Sequence, residues 1–298
     1  MNDILLAHRH HHQPKKARLK HLIWTAAGSC ALGGLFAWRL EDHWLRIEHT
    51  DMPLENLGKG FDGARLIHIS DLHCSPIVLE RYLHQCVERV NALEPDFVVI
   101  TGDFITGLKT YARRVARVLH ELHPKVATLA CLGNHDYGIL HPRGFGMNRG
   151  LAQYLTERLG HADIFVMLNE SRRFRRDGSV LQFAGVEDFW SGRFDPAAAL
   201  EFARTDRPVI GLCHNPDGAT VFASRGADWV LAGHTHGTGA DDRGVYDVLR
   251  PSNHSRFYAG LYDLDGGKKL YVNRGLGYAR RLNLNARPEI TVFTLRDS

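Results

Sequence analysis

The chain lacks features that would place it in a special structural class. It has few cysteines, five in 298 residues, and no CxxC spacing. An odd count without that spacing argues against both a disulfide framework and a structural zinc site. The sequence also has no internal repeat and no low-complexity linker. Its length therefore allows one large or two small globular domains with a sizeable core.

The chain also has no large excess of positive or negative charge. The formal net charge is +4. Much of the excess lies in the first twenty residues, namely Arg9, Lys15, Lys16, Arg18 and Lys20. A basic end without a basic surface gives no reason to expect a nucleic-acid partner. The remaining composition, 44% hydrophobic and 23% charged, is ordinary for a globular protein, but histidine is plentiful at 19 residues.

One uncharged run stands near the start of the chain. Residues 22–38, "LIWTAAGSCALGGLFAW", follow a basic tail, 1–21, that we predict to be disordered. The run has about the minimum length for a membrane span, and the preceding basic residues favour an extracytoplasmic position for the rest of the chain. We expect a retained membrane anchor, with the cytoplasmic face as the alternative topology. A cleaved signal peptide, a lipoprotein signal ending at Cys30 and a buried core helix are the competing interpretations.

After a connecting segment, 39–62, the main domain is predicted to span 63–298. Apolar strands at 64–71, 95–103 and 125–136 alternate with helical periodicity, which predicts parallel β-α-β units. Further apolar runs predict strands at 162–170, 179–188, 207–217, 227–237, 256–263, 268–275 and 289–296. The last three have no helices between them. This mixture favours an α/β domain with two sheets packed face to face and helices outside.

Polar side chains follow five of these strands at the point where each strand ends. They are Asp71 and His73, Asp103, Asn134 and His135, His214, and finally His234 and His236. In open α/β sheets, ligands bind beyond the carboxyl ends of the strands. We therefore expect these side chains to converge, although the sequence separates them widely.

The chemistry of this set indicates a metal site. Imidazoles, two carboxylates and an amide oxygen suit manganese, iron(II) or zinc. There are enough ligands for two ions, with Asp103 able to bridge them, and two such ions can share a hydroxide that attacks a phosphate in line. Each motif alone has a simpler explanation, such as a strand-end cap, a turn or a core histidine. His68, inside the first strand, is interpreted as a packing residue of that simpler kind.

The motifs in order resemble the calcineurin-like metallophosphoesterase superfamily. They are Asp71-x-His73, Gly102-Asp103, Gly133-Asn134-His135-Asp136, His214 and Gly233-His234-x-His236. The resemblance covers nearly all of 65–295. Phrases such as "GVEDFWSGRFD" and "HNPD" look closest to the bacterial branch of membrane-associated phosphodiesterases that includes UDP-2,3-diacylglucosamine hydrolases.

The resemblance implies a four-layer α-β-β-α sandwich, here with an N-terminal hydrophobic anchor helix. It also implies that two divalent ions bind at the rim. One ion would be held by Asp71, His73, Asp103 and His236, and the other by Asp103, Asn134, His214 and His234. His135 would be catalytic, facing the substrate phosphate and protonating the leaving oxygen.

The sequence departs from this family at two places. Thr106 stands where many members carry an acid that orients the catalytic histidine, which leaves the orientation of His135 open, with Asp136 adjacent. The residues after His-Thr-His-Gly, 238–255, also differ from the usual continuation and can change substrate contacts.

We therefore expect a membrane-anchored metallophosphoesterase in which a metal-bridging hydroxide attacks phosphorus directly. The expected substrate is a phosphodiester or pyrophosphate, on a lipid precursor such as UDP-2,3-diacylglucosamine. Six basic residues can hold an anionic head group, or the stretch "RRFRRDG" can simply present a solvated strand face: Arg143, Arg149, Arg172, Arg173, Arg175 and Arg176. The rival hypotheses are a broad-specificity extracytoplasmic phosphodiesterase or phosphomonoesterase, and a non-catalytic scaffold of the same fold.

Overall fold

A computed structural model describes most of the chain. The described residues are 20, 23–30, 32–33, 45–140, 146–237, 256–277 and 287–298. The chain divides into two units, Met1–Trp44 and Leu45–Ser298. In the first unit, the described residues are helical. Among all described residues, no helix combines the length and hydrophobicity required to cross a bilayer. The predicted tail apart from Lys20, and residues 22, 31 and 34–38 of the predicted anchor, lie outside the described residues.

The second unit contains two six-stranded sheets. Sheet one runs, from edge to edge, β1 (Arg46–Leu54), β12 (Glu289–Asp297), β2 (Arg65–Ile69), β3 (Phe97–Thr101), β4 (Ala127–Cys131) and β5 (Ile164–Val166). Sheet two runs β10 (Gly260–Asp263), β11 (Lys269–Val272), β9 (Trp229–Ala232), β8 (Val209–Leu212), β7 (Ser179–Gly185) and β6 (Glu170–Arg176). The helices are α1 (Glu80–Ala92), α2 (Lys109–Leu119), α3 (Arg149–Gly160), α4 (Pro196–Leu200) and α5 (Ala219–Ser224). The predicted α/β class with two sheets is confirmed.

Three hydrophobic clusters show the order of the layers in this unit. Successive strand residues point to opposite faces, so Phe97 packs in the cluster between the sheets while Val98 packs on the outer face. That outer face of sheet one is covered by α1, α2 and α3, which contribute residues such as Leu83 and Val115. The outer face of sheet two is covered by α4 and α5, with Phe222 at its centre. The order of layers is therefore helices, sheet, sheet, helices.

The strand directions bring the predicted site to one edge. In sheet one, β2, β3, β4 and β5 are mutually parallel, and in sheet two β7, β8, β9 and β11 are parallel. The carboxyl ends of each parallel set therefore lie together. β12 enters sheet one between β1 and β2, antiparallel to β2, so the C-terminal strand lies inside the sheet.

One strand was not expected from the sequence, and a second was only one of two alternatives. β1 falls within the predicted connecting segment, and β6 is the arginine-rich stretch "ESRRFRR", for which the sequence allows either a head-group site or a solvated strand face. Both lie at a sheet edge and keep many polar side chains exposed, so neither has the apolar run of an internal strand. Met52 and Leu54 of β1 are nevertheless fully buried, which ties this strand into the core between the sheets.

Candidate metal centre

Five of the predicted site residues share a rare backbone conformation. Ten described residues other than glycine have positive φ, and half of them are Asp71, His73, Asp103, His234 and His236, with φ between 46° and 72°. This left-handed region costs roughly 1–2 kcal/mol for most residues, and such strained positions cluster at functional sites. The turns at the strand ends therefore aim these side chains at a common point at a cost to the free energy of folding.

The first group of side chains brings together Asp71, His73 and His236. Their candidate ligand atoms lie within 4.8 Å of one another. The Nε2 atoms of His73 and His236 are 3.0 Å apart, and His236 Nε2 is 3.4 Å from Asp71 Oδ1. Burial raises the pKa of Asp71 to about 6, although the hydrogen bonds from Ser70 and from the His234 amide lower it.

Asp103 lies between this group and a second one. Its Oδ2 atom is 3.4 Å from His73 Nε2 and also 3.4 Å from His214 Nε2. Burial alone would raise the pKa of Asp103, but the facing histidines, His214 first, hold it well below its usual range. One carboxylate oxygen thus faces imidazoles from both sheets, which is the arrangement that a bridging ligand requires.

The second group consists of His214, His234 and Asp103, again within 4.8 Å. Asn134 completes it, because its Oδ1 atom is 3.0 Å from His234 Nδ1 while its amide donates to Ile139 O at 2.7 Å. Burial lowers the pKa of His234 to about 3, so its ring is neutral.

These residues fit divalent ions by an independent test. Nδ1 of His214 donates to the carbonyl of Thr101 at 2.7 Å, which leaves the lone pair of Nε2 for another partner. Within the described part of the chain, Nε2 of His214 and Nε2 of His234 are buried and make no hydrogen bond, although Asp103 Oδ2 lies 3.4 Å from Nε2 of His214. Buried imidazole nitrogens without a hydrogen bond are costly, and a bound cation removes that cost. The mixture of nitrogen and oxygen donors suits manganese, iron or zinc.

His135 lies beside both groups. Its backbone amide donates to Asp103 Oδ1 at 2.9 Å, and its ring meets the His73 ring edge to face with centroids 5.0 Å apart. Its ring nitrogen is also within 4.8 Å of the ligand atoms of His73 and Asp103. Distance alone therefore does not separate a catalytic role from a metal-binding one.

The two residues that bear on the orientation of His135 have other contacts. Thr106 Oγ1 is 3.4 Å from Nδ1 of His73, so this position serves the first group of ligands. Asp136 accepts hydrogen bonds from the amides of Gly133 and Ile105 at 2.9 and 3.2 Å. Its carboxylate therefore ties the loop after β3 to the loop after β4.

One further acid at the site was not anticipated. Asp188, after β7, is buried, and burial raises its pKa to about 6, while charge on His214 opposes the shift. It accepts the amide of Trp190 at 2.8 Å, and the Trp190 ring stands edge to face against His234 at 4.7 Å. Its position after an apolar strand was the available signal, since it repeats the pattern of the other site residues.

Part of the predicted basic patch lies elsewhere. Arg176 pairs with Asp96 at 2.9 Å, and Asp96 precedes β3, whereas Asp103 follows that strand. Arg176 and its neighbour Arg175 are therefore at the end of the fold opposite the metal centre. Arg172 stacks on Phe165 at 4.0 Å. Arg143 and the segment 238–255 lie outside the described residues.

A two-sheet α/β fold with carboxylates and imidazoles gathered at one edge defines a metal-dependent hydrolase. The chain belongs to the family of calcineurin-like phosphoesterases, whose family model matches residues 64–238. The resemblance found in the sequence motifs is thereby confirmed. The chain is accordingly a metal-dependent phosphoric ester hydrolase, and the scaffold hypothesis lacks support.

Several relatives are similar along most of their length. The uncharacterized metallophosphoesterase YkuE of Bacillus subtilis is 29% identical over 278 residues, covering 92% of this chain and 94% of the relative. The phosphodiesterase YaeI of Escherichia coli is 29% identical over 232 residues, covering 78% and 82%. The UDP-2,3-diacylglucosamine pyrophosphatase LpxG of Chlamydia muridarum is 27% identical over 303 residues, covering 87% and 92%.

Proposed function

We propose that this protein hydrolyses a phosphodiester or pyrophosphate bond and that it uses two divalent ions of manganese, iron or zinc as cofactors. The observation that carries the proposal is the position of Asp103 Oδ2, at 3.4 Å from both His73 and His214. One ion would be held by Asp71, His73, Asp103 and His236. The other would be held by Asp103, Asn134, His214 and His234.

The reaction divides between the ions and the surrounding side chains. Two bound divalent ions supply an activated water and neutralise the charge of the phosphate. Asp103 holds the two sets of ligands in register, since its Oδ1 also accepts the His135 amide. His135 faces the substrate phosphate, steadies the charge that develops there and donates a proton to the leaving oxygen.

We further propose that the substrate carries a lipid, with UDP-2,3-diacylglucosamine as the candidate if the catalytic domain faces the cytoplasm. Three exposed apolar side chains follow the same strands as the metal centre: Ile77 after β2, Leu108 after β3 and Leu140 after β4, each more than half exposed. Exposed apolar side chains around a polar site suit an amphiphilic substrate. The relative LpxG, a UDP-2,3-diacylglucosamine pyrophosphatase, agrees with this choice.

A panel of substrates tests the proposal. Metal-free full-length protein is loaded with Mn²⁺ and assayed on bis-p-nitrophenyl phosphate, p-nitrophenyl phosphate and UDP-2,3-diacylglucosamine. We expect hydrolysis of the lipid nucleotide and of the diester, loss of both with chelator, and loss of rate and metal content in Asp103→Asn. Hydrolysis of the diester alone would favour the broad-specificity phosphodiesterase, a description that agrees with the name of YaeI. No hydrolysis of any substrate would contradict the proposal.

We propose that residues 22–38 anchor the protein in a membrane, with the catalytic domain outside the cytoplasm. The uncharged run and the preceding basic residues support this topology. A reporter fused after Ser298 tests it, because its activity depends on the compartment. A cytoplasmic signal would overturn the topology. An extracytoplasmic signal would count against a nucleotide-linked substrate, since such precursors are usually cytoplasmic.

A further inference from the structure

A line of buried hydroxyl groups runs from the core between the sheets to the metal centre. His68, in β2, has its Nε2 atom 2.8 Å from Thr101 Oγ1. Thr101 Oγ1 is 2.9 Å from Ser70 Oγ, and Ser70 Oγ is 2.6 Å from Asp71 Oδ2. All four residues have no exposed surface. Because water does not reach these groups, their protons have to be shared among themselves.

The contacts allow only one consistent direction of donation. Nδ1 of His68 is buried without a partner in the described part of the chain. A proton on Nδ1 would therefore be a buried N–H without an acceptor, which proteins avoid. The proton belongs on Nε2, so His68 donates to Thr101 Oγ1. Burial lowers the pKa of His68 to about 3, which agrees with a neutral ring carrying one N–H.

The remaining donors follow from this first one. Thr101 Oγ1 accepts from His68 and so donates its own proton to Ser70 Oγ. Ser70 Oγ has two acceptors in reach, Asp71 Oδ2 at 2.6 Å and the Thr101 carbonyl at 2.7 Å. The carbonyl already accepts from His214 Nδ1. A distance of 2.6 Å is typical of a hydroxyl donating to a carboxylate, so Ser70 donates to Asp71.

We infer that His68, Thr101 and Ser70 form a one-way donor chain that holds Asp71 Oδ2 and so positions Asp71 as a ligand of the first ion. The inference rests on the proposed metal centre. Asp71 Oδ2 accepts from Ser70 at 2.6 Å and from the His234 amide at 3.0 Å, and that amide also lies 3.2 Å from Oδ1. The shorter Ser70 contact holds Oδ2, so that Oδ1 is the oxygen directed toward His236, at 3.4 Å. Gly233 allows this close packing, since a Cβ there would collide with Ser70 Oγ and Asp71 Oδ2. Thr101 also reaches the second ion's ligands, because its carbonyl fixes the ring of His214.

Two substitutions break the chain without removing any ligand. Ser70→Ala removes the donor to Asp71, and Thr101→Val removes the hydroxyl but keeps the backbone carbonyl that His214 uses. Groups of this kind typically change metal affinity by about 10- to 100-fold when they are removed. We expect Ser70→Ala to lower the affinity for the first ion by that factor and to leave the affinity for the second ion nearly unchanged. Thr101→Val is expected to have the same effect, smaller in size.

The experiment is calorimetric titration of Mn²⁺ into metal-free full-length protein, with thermal unfolding as a check of folding. Thr128→Val is the matched control, because Thr128 is a buried threonine in β4 that makes no hydrogen bond to His68, Thr101 or Ser70. The double variant separates a chain from two independent packing effects. If the hydroxyls act in series, Ser70→Ala with Thr101→Val loses no more affinity than Ser70→Ala alone, whereas independent effects would add.

A second measurement does not depend on the metal. Long-range ¹H–¹⁵N correlation spectra of metal-free protein report which ring nitrogen of His68 carries the proton. We expect Nε2–H in the wild type; Nδ1–H would overturn the inference. Wild-type affinity in both single variants would overturn it as well. If the wild type binds no divalent ion, the proposed function fails, and the His68 tautomer still decides the direction of the chain.

Discussion

At the scale of the residue, position in the chain separates the two kinds of histidine in this domain. His68 lies inside a strand and packs against Phe293 and Tyr271. His73, by contrast, lies just beyond the strand in a left-handed turn. The side chains differ little in burial, so the backbone around each ring decides whether it faces the core or the metal centre.

His135→Ala tests the division between catalysis and metal binding. General acid catalysis is worth about 100- to 10,000-fold in rate. We expect kcat to fall within that range while the metal content, measured by mass spectrometry of the dialysed protein, stays close to two ions. Asn134→Ala is the neighbouring comparison, because it is expected to lower the metal content. Loss of metal in His135→Ala would mean that this ring is a ligand.

His68→Gln tests the neutral state of the buried ring. The pKa of His68 is lowered from 6.5 to about 3 by burial. Below pH 6.5 the unfolded chain binds a proton that the folded protein does not, so stability falls as the pH decreases through this window. Between pH 7.5 and pH 5, we expect the free energy of unfolding of the wild type to fall by about 2 kcal/mol more than that of the variant. Urea unfolding at both pH values measures it.

The exposed His161 provides the control for that substitution. His161→Gln should leave the pH dependence of unfolding as it is in the wild type. An equal pH dependence in wild type and His68→Gln would show that His68 is protonated in the folded protein, against the donor chain.

At the scale of the element, β1 is the strand with the least sequence signal and a large effect on packing. Met52 is fully buried, whereas Ile47, on the same strand, is 39% exposed. Removing a buried methionine side chain costs about 2–5 kcal/mol. We expect Met52→Ala to lower the free energy of unfolding by that amount and Ile47→Ala to change it by less than about 0.5 kcal/mol. Denaturant unfolding compares the two, and equal effects would show that β1 is not part of the folded core.

The elements that the sequence predicted are those with an apolar run. Apart from Arg65, the residues of β2, β3 and β4 are buried on both faces of the sheet, so these strands are mostly apolar and easily found in the sequence. β1 and β6 are edge strands whose charged residues hide the pattern. The ligand candidates were found because each follows an apolar strand. Ser70, directly after β2, and Thr101, the last residue of β3, carry no comparable signal, since a hydroxyl at a strand end acquires its role only from the neighbour on the adjacent strand.

At the scale of the whole molecule, the metal centre joins the two sheets. Asp71, Asp103 and Asn134 come from sheet one, while His214 and His234 come from sheet two. A cation bound to both sets stabilises only the folded arrangement. We expect Mn²⁺ at 100 times its Kd to raise the free energy of unfolding by about 2.7 kcal/mol for each ion bound, seen as a higher Tm.

Asp103→Asn provides the comparison for this effect. Because the amide cannot bridge two cations as the carboxylate does, the rise in Tm should be lost in this variant. A rise of equal size in Asp103→Asn would indicate that Mn²⁺ binds elsewhere on the protein.

The place of β12 in sheet one has a consequence for synthesis on the ribosome. More than 200 residues separate Ile69 from Glu289, yet β12 inserts between β1 and β2. At about 5–20 residues per second, β2 leaves the ribosome roughly 10–45 s before its neighbour exists. During this interval β1 and β2 lack the strand that pairs with both of them. A premature stop codon shortly before Glu289 therefore removes an internal strand, and its product is expected to be degraded although the metal-ligand candidates are all present.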